Sequence, residues 1–321
     1  MTEDQRLKLV TGLKSSPKYI PCWYNYDEIG SQLQQEIVEV HQGYYLTTSR
    51  ISLLQQSVHD IIPDVPNDLT LVDLGSGDCS KTRFIIDELI KRQNTLTFYP
   101  LDISEEFLLK TVTKFTKEYG NSLSTHPVTS DYVQGIEQLK QIKGAKLILW
   151  LGSMINLPYE DQFSTLRLNS TMMTDHCRLV FTADITESKE DILKAYNKDL
   201  SINRKFLYNG LARLNREEGS MIDLDKLSCH LDYIRNKDPE YMSYVRVYLE
   251  AKEDVVYPIP GLGIDLMMKK GEHLFLHEGA GLSCKYTLEQ LKNIAQKAGL
   301  RFAATLIDKR KHVAFCSCVT K

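Results

Sequence analysis

The stretch LVDLGSGDCSKTR runs from Leu71 to Arg83 and decides how the rest of the chain is read. A short apolar run over 69–74 ends in Gly75-Ser76-Gly77, and helical spacing begins at 81–92. Strand, glycine turn and helix in that order make the first unit of an α/β sheet. Glycine takes positive φ without steric cost and lets a ligand approach the backbone closely. Ser80 stands where the third glycine of a dinucleotide fingerprint would be, and the Gly-Lys-Ser/Thr of a phosphate loop is missing. Pyrophosphate binding is therefore not required.

Next in the chain, 96–101 (LTFYPL) reads as a second strand ending in Asp102, with a helix from Glu105. A third strand is expected over 126–129, followed by Asp131, with 138–143 in the helical connection after it. The run AKLILWL, 145–151, is a fourth strand, continuous in apolar character because both faces are buried. A fifth, RLVFTA over 178–183, ends in Asp184. Strands alternating with helices predict a parallel sheet with right-handed crossovers, whose ligands sit at the carboxyl ends of the strands. Asp73, Asp102, Asp131, Asn156 and Asp184 all fall at such ends.

Composition narrows the class. In 321 residues, 39 Lys+Arg face 42 Asp+Glu, a near balance that argues against a nucleic-acid binder with a dedicated basic face. Length suggests two domains. No apolar run approaches the ~20 residues of a membrane span, and the acidic start MTEDQ lacks a signal-peptide core. Seven scattered cysteines fit neither a disulfide framework nor a zinc pattern, so reduced thiols and a cytoplasmic setting are expected. A monomer that contacts neither membrane nor nucleic acid is the expectation.

The flanks differ in texture. Residues 1–50 read as helix and loop, and a helix over 51–62 stops before Pro63 and Pro66. Helices are expected over 191–216, then antiparallel strands over 241–251, 255–259 and 272–277, with Pro258 confining the second to an edge. A helix over 288–299 and a hairpin of 302–307 with 312–318 close the chain. The expected division is a cofactor-binding domain, 51–196 with 287–321, and a substrate-binding domain, 1–50 with 197–286.

An acidic strand residue before Gly-Ser-Gly is the layout of a loop that binds S-adenosylmethionine. Asp102 ends the next strand, where a carboxylate can accept from both ribose hydroxyls. Asp131 and Tyr132 would meet the edge and face of the adenine. Each aspartate alone also suits a helix N-cap; three at equivalent strand ends favour the cofactor.

The segments YDEIGSQL, GYYLTTSR, LVDLGSGDCSKTR, FYPLDIS, LWLGSMINL, KAYNKD and LSCKY, in this order, resemble the histidine-specific Nα-methyltransferase family. That family comprises the ergothioneine-pathway enzymes, fungal N-methyltransferases of tryptophan derivatives, and the methyltransferase part of ovothiol synthases. The resemblance spans essentially the whole chain and implies a Rossmann-like α/β methyltransferase core carrying a discontinuous α+β substrate domain. It assigns Gly75, Ser76, Gly77, Lys81, Asp102, Asp131 and Tyr132 to S-adenosylmethionine. It assigns Asn156 to the substrate amine and carboxylate, Tyr44 and Tyr196 to the carboxylate, Tyr26 to the vicinity of the amine, and Ser283 to the ring.

The departures concern the ring. Gly281 stands where the family's histidine enzymes carry a glutamate bonded to the imidazole, and Val247 where a methionine packs on it. LGSMINL is one residue shorter than the usual version, and His277 or Glu278 stands close enough in sequence to replace the lost partner. An unpaired buried N–H costs about 1–3 kcal/mol, so a larger, indole-like ring is expected over histidine. A histidine Nα-methyltransferase of the ergothioneine type, or a catalytically silent cofactor binder, is the alternative reading.

Methyl transfer from a sulfonium needs alignment rather than a covalent intermediate or a metal. Tyrosine hydroxyls would hold a carboxylate without adding positive charge beside the sulfonium. His273 and His277, on a strand, would sit roughly 13 Å apart, so no metal is expected.

Overall fold

A computed structural model describes every residue except 42, 63–67, 198, 237, 239 and 279–281. The chain opens with α1 (Glu3–Lys14), β1 (Lys18–Tyr19), α2 (Glu28–Val40) and α3 (Tyr45–Ile61). The alternating section follows: β2 (Thr70–Leu74), α4 (Thr82–Gln93), β3 (Leu96–Asp102), α5 (Glu105–Tyr119), β4 (Leu123–Thr125), β5 (Val128–Thr129), α6 (Tyr132–Leu139), β6 (Lys146–Trp150), α7 (Tyr159–Met172) and β7 (Arg178–Asp184). Next come α8 (Lys189–Ala195), α9 (Ser201–Glu217), β8 (Leu227–Ile234), β9 (Ser243–Ala251), β10 (Val255–Ile259), β11 (Ile264–Met268), β12 (His273–Phe275) and β13 (Leu282–Lys285). Helix α10 (Leu288–Lys297) and the hairpin of β14 (Leu300–Ile307) and β15 (Val313–Thr320) complete it.

Two compact units result. One holds 45–188, 236–242 and 285–321; the other holds 1–44, 189–235 and 243–284. These boundaries shift those expected from sequence. Helix α3 begins at Tyr45 and packs on α4, β7 and β15, which takes 45–50 into the first of these units. Helix α8 packs on β8 and buries Ile192 against Val245 and Val247, which takes 189–196 into the second.

In the first unit β7, β6, β2 and β3 run parallel side by side, with β4 and β5 each pairing on β3. The chain moves from β2 toward β3 on one side and later toward β6 on the other, so strand order reverses between β2 and β6. That reversal opens a crevice at the carboxyl ends of those two strands. Strand β15 runs antiparallel on β7, and β14 antiparallel on β15. The sheet is Rossmann-like, helices lying between its parallel strands as the alternation predicts. Every residue of β6 is buried, matching its unbroken apolar run.

Local differences have local causes. The third strand is two short pieces, because it breaks at His126-Pro127: His126 still donates its amide to Phe98 O (2.8 Å), while proline has no N–H to continue the ladder. In the connection after this strand, helix α6 spans Tyr132–Leu139 with Asp131 as its N-cap, so of the 138–143 stretch placed in that connection only 138–139 is helical.

In the second unit β12 pairs antiparallel with β9, β9 with β8, and the short β1 lies parallel on β12. Strands β8 and β11 are additional to the sequence reading; β8 is only half-buried for most of its length and lacks a clear apolar alternation. Strand β10, with Pro258 opposite Asp265, pairs with β11 as a separate two-stranded ribbon. The core gathers Leu9, Leu13, Tyr24, Leu214, Leu249 and Leu274, each at most 1% exposed. Burial of each such leucine is worth roughly 1.5–3 kcal/mol. Among the described residues no helix is long and apolar enough to cross a membrane.

Candidate active site

The loop after β2 is built for close approach. Gly75 and Gly77 hold φ of +69° and +55°. The amides of Gly75 and Ser76 donate to Leu101 O at 2.8 and 3.0 Å, and the Gly77 amide donates to Asp102 Oδ2 at 3.0 Å. The Ser104 amide donates to the other oxygen, Oδ1, at 3.1 Å. Asp102 is therefore fixed by the backbone rather than serving as an N-cap; Ser104 occupies that position at α5. Each carboxylate oxygen keeps a lone pair for a further donor. Burial raises the Asp102 carboxyl above its ordinary value, offset by the backbone donors of Ser104, Gly77 and Ile103.

A Cβ at Gly75 would lie 2.7 Å from both Ser153 Oγ and Tyr132 Oη, so glycine is needed there for space as well as for φ. A Cβ at Gly77 would meet no atom within 4 Å, which leaves room beside the loop. The Tyr132 hydroxyl donates to Ser153 Oγ (2.6 Å), and the Trp150 indole N–H donates to the same oxygen (3.0 Å). Asp131 accepts from the Gln134 amide at 2.9 Å. The carboxyl ends of β2 and β6 are thus linked through Gly75, Ser153 and Tyr132. Ser153 lies within the LGS segment without having been assigned a role from sequence, where a serine in a loop carries no distinguishing signal.

The acidic residue on β2, Asp73, is 2% exposed and accepts from the Thr82 hydroxyl. Burial pushes its carboxyl up to about 6, with Thr82 and Lys81 pulling the other way. Lys81 occupies the N-cap position of α4. Burial also pushes the Cys79 thiol well up. Asn156 lies in the 3-10 turn Met154–Asn156, its amide donating to Ser153 O at 3.0 Å. The fit to S-adenosylmethionine is good on these terms: a loop backbone with open space, a carboxylate with free lone pairs at the second strand, and an aromatic ring at Tyr132.

In the second unit the Tyr44 and Tyr196 rings meet edge to face, centroids 6.0 Å apart and planes at 81°. The reason is His41. Its Nε2 reaches the Lys194 and Ala195 carbonyls, both at 3.0 Å, at the end of α8, and its Nδ1 accepts the Gly43 amide at 3.3 Å. An Nε2–H tautomer satisfies all three contacts and ties the turn before Tyr44 to the residue before Tyr196. Tyr196 packs on the buried cluster of Ile192, Val245 and Val247. Three of the residues expected at the substrate are thereby adjacent.

Tyr26 lies edge-on to Phe206, centroids 5.5 Å apart. Its turn is held by Asn209, which donates to Asn25 O (3.0 Å) and Asp27 Oδ1 (2.8 Å). Ser283 is buried with φ of +51°, a strained position for a residue other than glycine. Gly281 lies outside the described residues. Glu278 Oε2 accepts the Cys22 amide at 2.7 Å. His277 is 2% exposed, and its Nε2 has no hydrogen-bond partner among the described residues. Burial holds its imidazole down at about 4, so it is neutral at physiological pH.

Comparison with known proteins agrees with this chemistry. The chain matches the family described as histidine-specific methyltransferase, SAM-dependent, over residues 5–320. It is 26% identical over 300 residues to a histidine N-alpha-methyltransferase of Mycolicibacterium smegmatis, covering 93% of this chain and 89% of that one. It is 24% identical over 307 residues to the N-methyltransferase imqF of Aspergillus flavus (92% and 79% covered). Against the ergothioneine biosynthesis protein 1 of Schizosaccharomyces pombe it is 26% identical over 310 residues, 92% of this chain but 38% of that longer protein. With the family match running nearly from end to end, and the glycine loop and carboxylate in place, this chain belongs to the S-adenosylmethionine-dependent, histidine-specific methyltransferase family of N-methyltransferases.

Proposed function

We propose that the protein methylates the α-amino nitrogen of a free aromatic amino acid, with an indole-sized ring preferred. The single observation that carries this reading is the Tyr44–Tyr196 ring contact, with Tyr196 itself packed on an apolar wall of Val247 and its neighbours. Two hydroxyls beside an apolar surface suit a zwitterion with an aromatic side chain.

S-adenosylmethionine, when bound, supplies an electrophilic methyl group on its sulfonium. Asp102 would hold the ribose hydroxyls, the 75–77 loop and Lys81 the neighbouring parts of the cofactor, and Asp131 and Tyr132 the adenine. Tyr44, Tyr196 and Asn156 would hold the substrate carboxylate and amine, with Tyr26 near the amine. Alignment is the main contribution such side chains make. The amine attacks neutral, and its proton leaves to water, with the oxygens of Asn156 and a tyrosine acting only as hydrogen-bond partners that orient the N–H.

A substrate ring carrying an N–H is favoured by a second observation. With Nδ1 turned to the Glu278 carbonyl at 3.4 Å, His277 leaves Nε2 as a neutral acceptor. Indole and imidazole both offer such a donor, so histidine stays as the alternative substrate.

The test is incubation with cofactor and a panel of free amino acids, including tryptophan, histidine, tyrosine and phenylalanine, read by mass. A gain of about 14 daltons per methyl is expected on an aromatic member, and none on the matching amine without a carboxylate. Binding of the demethylated cofactor without any mass gain across the panel would overturn the assignment.

A further inference from the structure

One cation at the strand-order reversal plays no part in the site described so far. Arg50, on α3, is only 5% exposed. Its Nε and Nη2 are both buried, and neither has a hydrogen-bond partner among the described residues. The guanidinium rests against Gly152, the second residue after β6. A Cβ there would come within 3.2 Å of Nη1, 3.5 Å of Cζ and 3.9 Å of Nη2. Gly152 precedes Ser153, whose hydroxyl closes against Gly75 of the cofactor loop. Arg50 therefore stands one residue behind the wall that joins β2 to β6.

An uncompensated buried charge is strongly unfavourable, and breaking up such a pair is costly for that reason. A planar guanidinium with two spare donors matches the geometry of a carboxylate. The neighbouring glycine leaves no side chain against the Nη1 end of the guanidinium. We propose that Arg50 is the residue that anchors an α-amino-acid carboxylate at this end of the sheet. Two reactants of this family carry that group, the methionyl tail of the cofactor and the amino acid itself. The tie through Ser153 to Gly75 favours the cofactor tail; the substrate arm alone rests on the function proposed above.

The test is calorimetric and needs no turnover. S-adenosylhomocysteine and its decarboxylated analogue are titrated into the wild type, Arg50→Met and Arg50→Lys. Separately, tryptophan and tryptamine, and histidine and histamine, are titrated with S-adenosylhomocysteine present. Arg50→Met is expected to weaken the carboxylate-bearing ligand on the order of tenfold or more, leave the decarboxylated form unchanged, and be partly rescued by lysine. Lost selectivity confined to the homocysteine pair assigns the anchor to the cofactor; confined to an amino-acid pair, it assigns it to the substrate. Equal selectivity in wild type and Arg50→Met for every pair overturns the proposal. Should Arg50→Met fail to fold, the wild type decides, since binding that ignores decarboxylation in all pairs leaves no carboxylate anchor at all. A wild type that binds S-adenosylhomocysteine but no amino acid sinks the substrate reading and leaves the homocysteine pair to decide on Arg50.

Discussion

Gly77 donates its amide to Asp102 Oδ2 at 3.0 Å, so the glycine loop after one strand and the carboxylate ending the next form one rigid piece. Asp102→Asn breaks that piece chemically while keeping its size. An amide has one acceptor oxygen where two backbone donors, Gly77 and Ser104, converge. One of them then faces an NH2 group, at a cost of about 1–3 kcal/mol. Cofactor affinity measured by calorimetry is expected to fall at least tenfold, a factor worth about 1.4 kcal/mol, with an unchanged far-ultraviolet spectrum.

Gly75→Ala tests the closure between β2 and β6. Its methyl would sit 2.7 Å from the Ser153 and Tyr132 hydroxyls at φ of +69°. Strain of this kind costs about 1–3 kcal/mol. Weaker cofactor binding and a lowered melting temperature are expected together. Ser153→Ala in the same background removes one of the two clashes and is expected to restore part of both.

Asn156→Ala separates the cofactor from the substrate. The residue lies three positions beyond Ser153, in the turn after β6. The variant is expected to bind S-adenosylhomocysteine like the wild type yet lose methyl transfer by about two orders of magnitude, the scale on which misaligned reactants cost rate. Turnover at the wild-type level would remove Asn156 from the site.

A different pair carries stability. Lys285 Nζ lies 2.9 Å from Asp184 Oδ2, the two side chains 2% and 0% exposed. Tyr45 donates to the same oxygen at 2.8 Å, and the Thr186 amide to Oδ1 at 2.9 Å. Lys285→Met leaves the carboxylate buried without its counter-charge, at about 3–5 kcal/mol. A fall of that size in the unfolding free energy from urea titration is expected, partly recovered when Asp184→Leu is added.

The sheet was legible because its strands announce themselves: 69–74, 96–101, 145–151 and 178–183 all became strands to within a residue or two. Hydrophobic runs and glycine turns are local signals. What stayed hidden depends on burial by distant parts of the chain. Thr47, Ser49 and Arg50 are buried polar residues on α3, so the helix shows no apolar stripe there and reads as starting six residues late. Arg50 ends the segment GYYLTTSR, and nothing in sequence tells a buried arginine from a solvated one. Asp131 illustrates a double role: its N-cap bond to Gln134 would explain its presence without any ligand. Among seventeen tyrosines only the family-like motifs distinguish Tyr44 and Tyr196; the His41 bridge that brings them together has no signature in sequence.

Two buried groups give the protein a pH response with opposing parts. His277 is held near 4 in the fold against an ordinary 6.5. As pH falls below 6.5 the unfolded chain gains a proton that the fold refuses, so stability drops through the window down to about 4. At about 1.4 kcal/mol per unit the full window is worth about 3 kcal/mol. Asp73 acts in reverse, raised in the fold from 3.8 to about 6. The stability from its retained proton is complete below 3.8 and fades as pH rises through 6. Urea midpoints from pH 4 to 7.5 should therefore rise with pH less steeply in His277→Asn than in the wild type, and more steeply in Asp73→Asn. If His277→Asn leaves the slope unaltered, the imidazole is not the neutral buried acceptor that the substrate reading uses.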